Sequence, residues 1–175
     1  MVSFWDLRMD TSEEIFSNKG RVGSVQSIAV NNIATQLAAI DNKGMVRVWR
    51  VADLSSIAAP FVQQCHEDRG LKCTFSPDCS TLATTGADTT ARIWGVTEDG
   101  ELGAGHVFTC TDQKWVWDAK FSTDSQFLFT GSSDGTVRLW DSLRTDSPKQ
   151  EYAAHQRAVV SIAFWDREAQ TFYHE

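Results

Sequence analysis

The sequence is poor in the features that mark most specialised classes. It has three prolines in 175 residues, and no run approaches the ~18 apolar residues that a helical membrane span needs. Basic residues are outnumbered, sixteen against twenty-three acidic ones, for a formal net charge of −7. Nothing in that balance would pull strongly on a phosphate backbone, so no nucleic-acid partner is expected. The first ten residues hold Asp6 and Arg8 and no apolar stretch, so no secretory signal is expected. The four cysteines (Cys65, Cys73, Cys79 and Cys110) form no CxxC pair, and no Asn-x-Ser/Thr acceptor occurs. Free thiols in a reducing, cytoplasmic setting are the expectation. Disorder is excluded by composition, with 42% hydrophobic and 22% charged residues.

What the chain does have is seven tryptophans. Four of them close short runs: Val2-Ser3-Phe4-Trp5, Val46-Arg47-Val48-Trp49, Ala91-Arg92-Ile93-Trp94 and Val137-Arg138-Leu139-Trp140. The tryptophans recur at intervals of 44, 45 and 46 residues. Each run alternates between the two sides of a strand, as a half-buried strand requires. Upstream, Leu82–Asp88 stands over Leu128–Asp134, and Cys73–Asp78 over Ala119–Asp124. Pro77-Asp78 and Thr123-Asp124-Ser125 supply turn chemistry between apolar runs. The middle repeat predicts strands near 69–76, 80–86, 90–96 and 104–111. No segment has the 3.6-residue periodicity of a long amphipathic helix. The stretch Glu98–Gly105 and the connection 142–149 look like flexible loops.

A period of this length with a terminal Trp resembles the WD-repeat β-propeller family along nearly the whole chain. The fold class expected is therefore all-β. It would be a propeller fragment of about three full four-stranded blades with partial blades at both ends. The blades would cover 20–66, 67–112 and 113–155. Residues 1–19 would end a preceding blade, and 156–175 would hold the first strand of a closing blade and a tail. Such a set cannot close a ring of ~4–8 blades. The chain is thus expected to be the C-terminal half of a longer protein, with sheet edges left open.

The resemblance implies a hydrogen-bonded chain of His, Ser/Thr, Asp and Trp inside each blade. In the second full repeat these would be His66, Thr84, Asp88 and Trp94. The third has Thr130, Asp134 and Trp140, with Asp112 where the His would stand. The first has Trp49, but Ala39 at the Thr position and Lys43 at the Asp position. His155 would begin the same network in a following blade. The three repeated tryptophans read as packing residues, because repetition is a packing rule.

One segment departs from the repeat. Gln113-Lys114-Trp115-Val116-Trp117 puts two tryptophans at i and i+2 on the entry to a strand. It is similar to the corresponding segment in the family of small WD-repeat, G-protein-β-subunit-like subunits of TOR kinase complexes. Asp41–Arg50, His66 with Leu71–Cys73 and Ser76–Asp78, and His155–Val160 carry the same likeness. The resemblance implies a non-catalytic scaffold that docks on a TOR-type kinase domain among other complex subunits, with no cofactor and no membrane insertion. Trp115 and Trp117 would be the anchors, and Lys114 and Gln113 rim contacts. An alternative is another WD-repeat adaptor, such as a substrate receptor or an RNA-processing scaffold. Gly131-Ser132-Ser133-Asp134-Gly135 matches the nucleophile-elbow pattern of hydrolases, but that motif needs a strand–turn–helix setting, and here a strand is expected to follow. Cys65, His66, Cys73 and Cys79 lack metal-site spacing and read as buried thiols beside a structural histidine.

Overall fold

The computed structural model describes the strands at 2–6 and 11–16 and residues 23–53, 56–57, 59–109, 112–143 and 147–164. Among them are fifteen strands and no helix. β1 (Val2–Asp6) and β2 (Thr11–Phe16) pair as a hairpin. The first large sheet runs β3 (Val25–Val30), β4 (Gln36–Asp41), β5 (Met45–Asp53), with β6 (Ser56–Ile57) and β7 (Phe61–Gln64) both on β5. The second is β8 (Gly70–Phe75), β9 (Thr81–Gly86), β10 (Ala91–Val96) and β11 (Leu102–Phe108) in sequence order. The third repeats it with β12 (Val116–Phe121), β13 (Phe127–Ser132), β14 (Val137–Asp141) and β15 (Gln150–Tyr152). Every pairing is antiparallel. These are the blade sheets of a propeller.

The two-residue period of the strands assigns each side chain to a seam. In β4, Ala38 and Ile40 face the second sheet and join Val46, Val48, Cys73, Phe75, Leu82 and Trp94 in one buried cluster. Leu37 and Ala39 point the other way and pack with Trp49. The next seam buries Ala83, Ile93, Phe108, Val116, Leu128 and Trp140. In each of the three larger sheets the repeated Trp lies opposite a leucine on the neighbouring strand: Leu37 for Trp49, Leu82 for Trp94 and Leu128 for Trp140. The first hairpin of each sheet turns through a left-handed residue, Ala34, Cys79 or Ser125, at equivalent repeat positions. The side chain that braces this turn is Asn31 in the first sheet and Ser76 or Ser122 in the others.

Two expectations need correction. The stretch Glu98–Gly105 is not simply a loop, because β11 begins at Leu102 and Gly105 pairs with Trp94. A Cβ at Gly105 would lie 2.6 Å from the Trp94 ring, so glycine is there to let the indole lie against the edge strand. The segment 156–164, read as a strand, forms no ladder among the described residues. Its bonds go elsewhere: the Val159 N–H donates to the Ser132 carbonyl (3.0 Å) and the Ile162 N–H to the Asp118 carboxylate (2.8 Å). Phe164 stacks on Phe129, with ring centroids 4.8 Å apart. The segment therefore covers the third sheet through isolated backbone bonds and side-chain packing, with no strand beside it among the described residues.

Candidate protein-docking surface

The second sheet contains a continuous polar chain through its core. Trp94 Nε1–H donates to Thr84 Oγ1 (3.0 Å), and the same hydroxyl lies 2.8 Å from His66 Nε2. The hydroxyl already accepts from the indole, so its own proton goes to Nε2. That assignment puts the imidazole proton on Nδ1, which faces the two Asp88 oxygens at 2.9 and 3.0 Å. Thr90 Oγ1–H donates to Asp88 as well (2.8 Å). His66 comes from the connection that precedes β8, whereas Thr84 and Asp88 come from β9 and its turn. The chain thus ties a connection to the next sheet. Burial opposes ionisation of Asp88, but the hydrogen bonds it accepts from His66 and Thr90 outweigh it and hold its pKa at about 2.

A carboxylate whose pKa is depressed on folding stabilises the fold above its unfolded value of 3.8 and loses that contribution as pH falls toward 2. The contribution at neutral pH is about 2 kcal/mol. In acid titrations followed by denaturant melts, wild type is expected to lose that amount between about pH 4 and 2, and Asp88→Asn to lose little in that window. Parallel acid curves for the two proteins would refute the assignment.

The other two sheets solve the same problem differently. In the third, Trp140 Nε1–H reaches Thr130 Oγ1 (2.8 Å), but Asp112 is exposed and supplies no histidine link. Asp134 instead pairs with Arg138 (2.8 Å), which also holds Glu151 (3.0 Å). In the first, Asp41, only 1% exposed, binds Arg47 (2.9 Å) and accepts the N–H groups of Lys43 and Met45. Arg92 completes the series, 3.5 Å from Asp88. Each repeat therefore carries an arginine two residues before its Trp, matched to an acid near the hairpin turn. The three runs spell out this arginine, but sequence reasoning used only their apolar positions.

Trp115 and Trp117 come together where the 87–90 turn, the connection leading into β12 and the 133–135 turn meet. Their rings are 5.6 Å apart and tilted by 56°. Trp115 is 39% exposed, while Trp117 is half-buried with its indole N–H donated to Ser133 Oγ (2.6 Å). Together with Thr89 and Lys114 they line an open, mainly apolar depression of about 480 Å³. The satisfied indole leaves an aromatic face for apolar contact, and Lys114 is the one charged group on the lining.

Two residues anticipated from sequence fall elsewhere. Gln113 is not a rim contact: it is 7% exposed and its Nε2 donates to the Thr89 carbonyl (2.6 Å). It is buried because it fills the space under the 87–90 turn. His155 is exposed and takes part in no hydrogen-bond network among the described residues. The elbow-like pentapeptide leads from β13 through a turn into β14, a strand, and the Ser133 hydroxyl is engaged by Trp117. No group of three metal-ligating side chains exists among the described residues. Cys65 and Cys73 are buried in the first seam, where burial pushes both thiols up to about 12. Cys110 lies outside the described residues.

The WD domain, G-beta repeat model matches residues 61–95 and 104–141. The chain is 34% identical over 170 residues to the Protein LST8 homolog of Drosophila pseudoobscura pseudoobscura, covering 94% of this chain and 52% of that protein. It is 32% identical over 174 residues to the Target of rapamycin complex subunit LST8 of Mus musculus, with the same shares of the two chains. The chain spans about half the length of the curated relatives it matches. With its Trp-terminated repeats, its four-stranded sheets and these likenesses, the chain carries WD repeats folded as the blade sheets of a β-propeller.

Proposed function

We propose that this chain acts as a non-catalytic scaffold subunit of a TOR kinase complex in the cytoplasm, docking on the kinase catalytic domain beside the other subunits of the complex. The observation that carries the reading is the Trp115–Trp117 pair. It breaks the repeat, it is partly exposed, and it sits in a depression rimmed by one cation. Large aromatic side chains in such a setting are the usual anchors of protein interfaces. Support for the partner comes from relatives named as subunits of the target of rapamycin complex. No helix among the described residues is long and apolar enough to cross a membrane.

The test is co-purification of a recombinant TOR-type kinase catalytic domain with the tagged chain. Replacing Trp115 and Trp117 together by Ala is expected to weaken capture at least ~30-fold, the usual effect of losing a hot-spot aromatic. Thermal unfolding should move far less than for a seam tryptophan. Capture at wild-type level by the double variant would overturn the reading.

A further inference from the structure

The second hairpin of each sheet turns at one repeat position, occupied by Gly44, Thr89 and Gly135 with φ of 74°, 67° and 85°. Glycine adopts this left-handed conformation freely, whereas a β-branched residue there is strained. The two glycines have a second reason to be there. A Cβ at Gly44 would run into the His66 carbonyl, and one at Gly135 into the His155 carbonyl. In those turns the connection to the next sheet lies directly over the hairpin.

At Thr89 the same turn carries a side chain, and its carbonyl is bonded differently. Asp112, at the position matching His66, itself takes a left-handed φ of 61°. In the first sheet the Gly44 carbonyl accepts the backbone N–H groups of Cys65 (2.9 Å) and His66 (3.2 Å). The Thr89 carbonyl accepts the buried Gln113 side chain instead. Beside this turn lies the depression lined by Thr89, Lys114, Trp115, Trp117 and Ser133. The Thr89 hydroxyl has no hydrogen-bond partner among the described residues. Strain retained where two sister repeats use glycine is characteristic of a contact site.

We infer that Thr89 is a specificity-determining contact of this docking surface. Its hydroxyl hydrogen-bonds a main-chain polar group of a partner segment. That segment fills the depression with an aliphatic or aromatic side chain and sets a carboxylate against Lys114. The inference rests on the reading above that the partner is the kinase catalytic domain.

The test titrates the full chain with a recombinant TOR-type kinase catalytic domain and records thermal midpoints in parallel. Thr89→Val, which keeps the shape and removes the hydroxyl, and Thr89→Gly are each expected to weaken binding about tenfold, the loss of one interfacial hydrogen bond. Thr89→Ser is expected to stay within about threefold of wild type. Thr89→Gly should unfold no earlier than wild type, because glycine relieves the turn. Should Thr89→Val fail to fold, Thr89→Gly against Thr89→Ser decides. Wild-type affinity for the glycine variant, with binding lost in Trp115→Ala, overturns the Thr89 assignment alone. Wild-type affinity for Trp115→Ala as well overturns the docking reading with it.

Discussion

Trp94→Ala is expected to destabilise the chain by about 3–5 kcal/mol, as loss of a fully packed aromatic does. The indole fills the seam between the first and second sheets, against Ala38, Ile40, Val48 and Leu82. Gly105 lies against its ring, so no side chain stands ready to collapse into the gap. The substitution also strips Thr84 of the donor that fixes its hydroxyl, at one end of the chain that runs through His66 to Asp88. A change of that size is a large part of the total stability of a domain. Equilibrium denaturation measures it, with Trp115→Ala as the exposed control, expected to shift stability by less than about 1 kcal/mol. A Trp94→Ala midpoint close to the control's would show that the seam tolerates a cavity.

The second large effect falls in the sheet whose network looks incomplete. Asp41→Ala is expected to cost about 3 kcal/mol, because it leaves Arg47 buried without its carboxylate and frees two turn N–H groups. Lys43→Ala, at the position that aligns with Asp88, is expected to change stability by no more than about 0.5 kcal/mol. Replacing the pair together, Asp41→Ala with Arg47→Met, should recover part of the loss, since the cation is removed together with its carboxylate. Equal midpoints for Asp41→Ala and Lys43→Ala would mean that the acid has no structural role in this sheet.

Much of the architecture was legible in the residues. The Trp interval and the alternating runs led to antiparallel sheets of four strands, and the strands expected near 69–76, 80–86 and 90–96 lie at Gly70–Phe75, Thr81–Gly86 and Ala91–Val96. Alternation reads well because each face of these sheets meets a different neighbour. Glycine reads poorly, since Gly105 looks like a loop residue and is a platform for an indole. The acid of the first sheet is invisible to a position-by-position alignment of the repeats. Asp41 stands two residues before the position of Asp88, yet a long arginine reaches it there. At the proposed docking surface the doubled tryptophan is visible in the sequence. The depression beside it is not, because it depends on backbone conformation at Thr89 and Asp112. Its signal was a threonine aligned with two glycines.

The thiols of the first seam carry a consequence for how the chain moves. Only the thiolate reacts with an alkylating reagent, and a thiol held at about 12 is ionised to roughly one part in 10⁵ at neutral pH. Cys73 is further secured by contacts to the Ser27 and Ala38 carbonyls, so neither it nor Cys65 meets reagent while the sheets are closed. Cys79, partly exposed on a turn, supplies a reference labelling rate within the same molecule. The labelling rate of the buried pair relative to Cys79 thus times the parting of the first two sheets. The molecule has in its own sequence a chronometer for the separation of neighbouring blades.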